Sequence, residues 1–200
     1  MGRRKTKTPF KRDVKDSKRE RIVIRMILLS GACIMLGLTV LISTYLPVSL
    51  FAAFVLHFIG ISFIYIAILA ICAFFLYASF VVVFLNPQRL RKSSVFNFAI
   101  VGILMLALTV PLLIFCVNET GKSIRDMQSY ANQDWQVTEA AVVSIDWDRA
   151  RYSVTNRAWL HTTAGELSLF RNRRVTVGGT YRITYLNETK AVVKMEKMSE

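Results

Sequence analysis

Two long segments of this chain carry no formal charge. Residues 26–88 and 93–118 contain no Asp, Glu, Lys or Arg, although 20% of the whole chain is charged. About 20 apolar residues are enough for a helix to cross the roughly 30 Å hydrocarbon layer of a membrane. Because both segments exceed that length, the sequence predicts an integral membrane protein.

Prolines and basic residues divide these segments into three predicted spans. The first is residues 26–46, which ends before Pro47, and the third is residues 95–117. The stretch between them, residues 50–85, would be about 54 Å long as one helix. That length is too great for one upright crossing and too small for two crossings with a turn.

Gly60 is the helix-breaking residue in this middle stretch, and it lies only 13 residues after Pro47. A segment that short does not cross a membrane. We therefore expect residues 61–85 to form the second span and residues 47–60 to lie at the membrane interface, where His57 reaches headgroups or water. A buried His57 that relays protons is the alternative, since ionisable groups inside membranes usually serve a function.

Basic residues beside the spans predict their orientation. Residues 1–25 contain eleven Lys or Arg residues against three acidic residues, and a second basic cluster follows the second span. Such clusters stay in the cytoplasm and attract anionic headgroups. Three crossings then place the C-terminal domain outside the cytoplasm. The alternative, a second crossing within residues 47–85, would put the second basic cluster on the wrong face. The short basic and apolar organisation favours a bacterial inner-membrane protein. We expect headgroup contacts at the cations nearest the spans: Arg21, Arg25, Arg89, Arg91 and Lys92.

After residue 118 the sequence becomes polar and its apolar period changes to two. We expect a linker or short helix over residues 118–134 and strands over residues 135–200, with turns at Ala164-Gly165, Gly178-Gly179 and Asn187-Glu188. Five or six strands in about 65 residues predict a small closed β-barrel of OB or SH3-like size. Alternate positions of the first strand are expected to share one face: Ala141, Val143, Ile145 and Trp147. Tyr181, Ile183 and Tyr185 are expected to do the same in a later strand.

The sequence contains no motif typical of an enzyme or a cofactor site. Cys33, Cys72 and Cys116 lie in the apolar segments, and His161 is the only histidine of the polar tail. Metal binding and acid–base catalysis need several converging groups. We therefore expect no catalytic residue, metal or cofactor, and we interpret His161 as an ordinary strand residue.

One part of the tail alternates aromatic and basic residues, which is typical of surfaces that bind single-stranded nucleic acid or sugar. The interpretation that we favour is that the aromatic residues fill the core while the arginines face water. Most of the excess positive charge lies beside the spans, so we expect no nucleic-acid partner. The set is Trp147, Arg149, Arg151, Tyr152, Arg157 and Trp159.

Apolar helices followed by a small C-terminal β-domain resemble the layout of the short NfeD-like membrane proteins, which act beside flotillin-type scaffolds. The segment TVGGTYRITYL, residues 176–186, is similar to the glycine-rich part of that family's barrel. The other predicted strands lack this glycine spacing, so the resemblance is one of layout.

Together these features indicate a non-enzymatic membrane protein with an accessory or assembly role. Its expected partners are membrane lipid and another membrane or envelope protein, which the external β-domain contacts. One alternative is a protein that gives immunity or stress resistance against a toxin or peptide. A transporter subunit is the other alternative, although the spans carry few of the polar residues that a transport pathway needs.

Overall fold

The computed structural model describes residues 14–85, 92–147, 157–170 and 175–198. In these residues, three long helices are followed by a five-strand antiparallel sheet. The helices are α1 (Val14–Ser43), α2 (Leu50–Phe80, continued by a π-helical turn at Val81–Leu85) and α3 (Lys92–Ala131). The strands are β1 (Gln136–Trp147), β2 (Ala158–Thr162), β3 (Gly165–Leu169), β4 (Thr180–Tyr185) and β5 (Val192–Lys197).

All three described helices are long and apolar enough to cross a membrane. Their outer surfaces are apolar too: Met35, Phe84 and Ile103, one from each helix region, are 67%, 70% and 68% exposed. Apolar surface on this scale is stable in lipid and unstable in water. The prediction of three long apolar helices is therefore confirmed, and these helices are consistent with a membrane protein.

Helix α2 does not turn at Gly60. It begins at Leu50, where the Ser49 hydroxyl accepts a hydrogen bond from the Ala52 backbone N–H at 3.1 Å. It then continues as one helix through residue 60, so residues 50–60 are its first turns and not a separate interfacial element. The expected linker at residues 118–134 likewise differs, because α3 extends without a break to Ala131.

Glycine explains why α2 passes straight through this point. Helices α1 and α2 are antiparallel, and a Cβ added to Gly60 would lie 2.7 Å from Cγ of Leu41. A Cβ added to Gly37 of α1 would lie 2.9 Å from the Gly60 carbonyl oxygen. Small residues allow this close approach of two membrane helices, which gains dispersion contacts that lipid does not offer. The Ser30 hydroxyl supports the same contact by donating to the Ala67 carbonyl at 3.3 Å.

Substituting Gly37 or Gly60 by Ala should destabilise the helix pair by about 1–3 kcal/mol, because the methyl group forces the two backbones apart. Gly31→Ala is the matched control, since a Cβ at Gly31 meets nothing within 4 Å. The measurement is the unfolding midpoint of detergent-solubilised protein titrated with sodium dodecyl sulfate. Equal midpoints for Gly31→Ala and Gly60→Ala would contradict a close crossing at Gly60.

Helix α3 packs on α2 along a single stripe, again antiparallel. Gly102 of α3 approaches Ser79 near one end, with 3.1 Å between an added Cβ and the serine Cβ. At the other end, the Phe51 and Tyr130 rings stack with their centroids 3.5 Å apart. Because α2 touches both of the other helices, it is the central helix of the bundle, and its first turns lie beside the polar end of α3.

The sheet has the strand order β3-β2-β1-β4-β5, and β1 is its longest strand. The first half of β1 pairs with β4 and the second half pairs with β2. Between Val142 and Ser144 the register to β2 shifts, because Val143 is an extra residue that has no partner of its own in β2. Such a bulge bends the strand and increases its twist.

The expected single face of alternate residues in β1 is wrong, because the bulge divides it. Ala140 and Val142 are buried, whereas Val143 is 60% exposed. After the bulge, Ile145 and Trp147 pack on the core. One inserted residue exchanges the two faces of a strand, so a strict period of two fails on one side of it. The alternation in β4 is confirmed, with buried Tyr181 and Ile183.

The sheet is not closed into a barrel, which corrects the predicted β-barrel. Strands β3 and β5 touch at one isolated parallel bridge, Ser168 to Ala191. Helix α2 packs over this opening, where Ala53 and Phe54 lie in one buried cluster with Phe170 and Ala191. The helix therefore covers the core at the position where a further strand ladder would close a barrel.

Asp126 of α3 fixes the sheet to the helices. Its carboxylate is fully buried and accepts hydrogen bonds from the backbone N–H groups of Glu188 and Thr189 at 3.0 and 2.7 Å. It also accepts a hydrogen bond from the Thr189 hydroxyl. This turn joins β4 to β5, and its Thr189 carbonyl accepts from the Ser168 hydroxyl of β3 at 3.2 Å. One carboxylate therefore holds the turn beside both edges of the open sheet.

Asp126→Ala should lower the stability of the folded chain by about 3 kcal/mol, because it leaves two backbone donors of the turn without their charged acceptor. Asp134→Ala, which removes an exposed carboxylate in the α3–β1 connection, should change it by less than about 0.5 kcal/mol. Thermal unfolding in detergent measures both variants. The same midpoint in the two variants would show that Asp126 is not the anchor of the sheet.

Candidate functional site

A cavity of about 390 Å³ lies where α2, α3 and the sheet meet, and we call it the junction cavity. Its first wall is a stripe of α2. The residues of this stripe follow the spacing i, i+3, i+4, i+7 and i+11, so they share one helix face. They are Phe54, His57, Phe58, Ile61 and Tyr65.

Aromatic contacts join this stripe to the sheet. The Phe170 ring, just after β3, lies 5.5 Å from the Phe54 ring and 4.7 Å from the His57 ring, measured between centroids. His57 is therefore half-buried against the β-domain. Its neighbours are aromatic rings and the Arg157 side chain that also lines the cavity.

Arg157 supplies the cation at the sheet side of the cavity. Its guanidinium carbon lies 4.0 Å from the centroid of the Trp159 ring and 5.0 Å from that of Phe170. Arg157 and Trp159 are two residues apart, so their side chains lie on the same side of the sheet. Stacking on two aromatic rings orients the planar guanidinium and shields part of it from water.

The third wall is the polar end of α3, where cations accompany the carboxylates of the cavity. Nζ of Lys122 lies 2.7 Å from Oε1 of Glu119. The guanidinium of Arg125 lies 3.0 Å from Oε2 of Glu188, which follows β4. Each carboxylate that lines the cavity therefore has a described cation as its direct neighbour.

The cavity changes character along α2. At the sheet end it meets Arg157 and Glu188, whereas Glu119 of α3 lies one helical turn from Phe115 and so nearer the other end. At the other end it meets Ile61 and Tyr65, and the Tyr65 ring lies 6.1 Å from that of Phe115. Phe115 belongs to the uncharged segment of α3, so this end of the cavity reaches the apolar part of the bundle.

The structure separates the aromatic and basic residues that the sequence grouped as a possible binding face. Trp147 pairs with the buried Ala158 and packs on the sheet core, whereas Trp159 pairs with Asp146 and is 38% exposed. The two tryptophans therefore lie on opposite faces of the sheet. Of the proposed face, Arg157 and Trp159 remain together, and they line the junction cavity. Arg149, Arg151 and Tyr152 lie outside the described residues.

Of the basic residues expected at the membrane surface, the three that the structure describes lie at the end of the bundle opposite the sheet. Arg21 and Arg25 are exposed on α1, and Lys92 is exposed at the start of α3. Arg89 and Arg91 lie outside the described residues.

Arg25 and the far end of α2 lie at different heights along the bundle. Ser30 of α1 bonds Ala67 of α2. From that level, Arg25 lies only about 8 Å further along α1, whereas Leu85 lies about 27 Å further along α2. An upright α2 would carry Arg25 into hydrocarbon, which is costly, so a tilted bundle suits both clusters better.

His161 has more company than its sequence neighbours indicated. Its Nε2 lies 3.0 Å from Oδ2 of Asp146, and its Nδ1 lies 3.2 Å from Oε1 of Glu166. Strand pairing brings these groups together, but both carboxylates are more than two-thirds exposed. In the part of the chain that the structure describes, no group of three or more His, Cys, Asp or Glu residues is placed to hold a metal ion.

A second and larger groove, of about 540 Å³, lies on another part of the domain. It is bounded by Tyr130 and Trp135 at the end of α3 and by Arg182 and Lys194 on β4 and β5. None of the described residues that line it belongs to the uncharged segments of the helices. We therefore take the junction cavity as the candidate site and the groove as a source of control positions.

No protein-family model, curated protein or solved structure matches this chain. The resemblance in layout to the NfeD-like proteins therefore carries no argument about function. Any functional conclusion rests on the geometry described above.

Phe54→Ala should destabilise the contact between α2 and the sheet by about 3–5 kcal/mol, since it empties a large buried volume. Phe54 is 2% exposed, whereas Phe84 of the same helix is 70% exposed. Phe84→Ala is the matched control and should change little. Amide hydrogen exchange in β3 and β5 is the measurement. Faster exchange in both variants, or in neither, would contradict the role of Phe54 as the contact between helix and sheet.

Proposed function

We propose that this chain is a non-enzymatic membrane subunit that presents its β-sheet domain in one fixed orientation at the outer surface of a bacterial inner membrane. There the domain contacts a partner protein or the envelope. The observation that carries the proposal is the buried anchor of the domain. Asp126 and the Phe54 cluster fix the sheet directly to α3 and α2. A fixed orientation reduces the entropy that an assembly loses when a partner binds.

The surface of α3 supports an assembly role. Only a narrow stripe of this helix contacts α2, and in its most apolar window 6% of the residues are buried within the chain. The remaining apolar surface faces lipid or a helix of another protein. An assembly subunit docks through two surfaces: the apolar surface of α3 and the sheet domain.

The orientation follows from charge. The start of α1 and Lys92, at the start of α3, lie at the end of the bundle opposite the sheet, and cationic flanks resist export. With both flanks in the cytoplasm, three crossings place the sheet outside. The same organisation without the fixed sheet would suit an immunity protein or a transporter subunit equally well, so the anchor is what favours an assembly subunit.

Orientation is tested by labelling single cysteines in a variant without Cys33, Cys72 and Cys116, with a thiol reagent that does not cross membranes. Ala164, in the exposed β2–β3 turn, and Ser93, exposed near the start of α3, are suitable positions. We expect Ala164→Cys to react in intact spheroplasts and Ser93→Cys to react only after lysis. The reverse pattern would place the sheet in the cytoplasm and contradict the proposal.

The partner is tested by purification at native expression level in mild detergent, followed by mass spectrometry. We expect one protein to co-purify in stoichiometric amount with the wild type and with Asp134→Ala. Asp126→Ala should stay in the membrane, but the amount of partner that co-purifies with it should fall at least about tenfold. The reason is that the sheet is no longer held in its binding orientation. A clean monomer would count against the proposal. A deletion strain that becomes sensitive to one killing agent, while its envelope assemblies remain intact, would also count against it. That phenotype would favour an immunity protein.

A further inference from the structure

We propose that the junction cavity binds one anionic membrane phospholipid. Its phosphate lies at the Arg157 end, and its acyl chains leave past Ile61 into the bilayer. This assignment is independent of the partner protein, because it rests on the lining of the cavity alone. It gives the site a ligand that every membrane protein meets at high local concentration.

The sheet end of the cavity has the chemistry that a phosphate requires. Arg157 presents a planar set of N–H donors, which match phosphate oxygens two at a time. Its guanidinium is already stacked on Trp159 and Phe170, so little side-chain entropy is lost when a phosphate binds. Lys122 of α3 lines the same cavity, where its ammonium pairs with Glu119.

The carboxylates of the cavity do not oppose this assignment. Glu119 lies beside Lys122, and Glu188 lies beside Arg125, each within 3.0 Å of the cation. A cationic ligand such as a free amine would need the aromatic surface that Arg157 already covers, and Arg157 would repel it. The lining therefore favours an anionic group over a cationic one.

The opposite end of the cavity distinguishes a lipid from a free anion. Phe58, Ile61 and Tyr65 continue the same wall toward the apolar segment of α3. A soluble phosphate gains nothing from these side chains, whereas an acyl chain gains about 0.8 kcal/mol for each CH₂ group that it buries.

The test is native mass spectrometry of the full-length chain in detergent, titrated separately with phosphatidylglycerol, phosphatidylcholine and inorganic phosphate. We expect one phosphatidylglycerol per chain, held about tenfold more tightly than phosphatidylcholine. Inorganic phosphate at millimolar concentration should not displace it. Displacement by inorganic phosphate at that concentration would mean that the site recognises a free anion, and it would overturn the lipid assignment.

Variants locate the lipid. Arg157→Gln should weaken phosphatidylglycerol binding about tenfold and abolish the preference over phosphatidylcholine. Arg182→Gln, a matched loss of charge in the other groove, should leave binding unchanged. Ile61→Trp should weaken lipid binding, because the larger side chain blocks the apolar end of the cavity. Equal binding by the wild type, Arg157→Gln and Ile61→Trp would overturn the proposal.

A melting curve of each variant separates loss of the site from loss of the fold. If Arg157→Gln does not fold, Arg157→Lys replaces it, because it keeps the charge but loses the planar donors. We expect Arg157→Lys to bind phosphatidylglycerol with intermediate affinity. Wild-type affinity in both Arg157→Lys and a folded Ile61→Trp would equally overturn the proposal.

Discussion

The position of the sheet depends on one buried carboxylate. Asp126 accepts two backbone N–H groups and one hydroxyl from the turn that joins β4 and β5. A carboxylate inside a protein is costly unless hydrogen bonds replace its water, and the turn supplies them. The same turn accepts a hydrogen bond from the Ser168 hydroxyl of β3. The bond between helix and turn therefore also keeps the two edges of the open sheet beside each other.

The excess length of α2 has its explanation in the same region. About 54 Å of helix is more than one membrane crossing requires, but the first turns of α2 do not face lipid alone. Leu50 joins the core of the sheet, and Phe54 packs against Phe170. A small sheet of five strands has little core of its own. The helix supplies the missing cover, and the junction cavity forms where this cover ends.

Several elements could be predicted from the sequence because they depend on local composition. The number of long apolar helices and the alternation in β4 are of this kind. Gly60 shows where local signals fail, since a glycine that looks like a turn serves instead as a contact with Gly37. The bulge at Val143 could not be predicted for a different reason. No local signal marks the extra residue, because its effect lies in the pairing with β2. Asp126 was missed because nothing near it in the sequence shows its partner, which is 62 residues away.

The sequence by itself determined that this chain enters a membrane and that a small β-domain follows its helices. Both results depend on hydrophobic length and period, which each segment carries independently of the others. Only the tertiary structure decided that the sheet stays open, that α2 covers it, and that Arg157 and Trp159 meet the α2 stripe. These features depend on contacts between residues far apart in the chain, and short-range patterns do not encode which of the possible contacts has the lowest free energy.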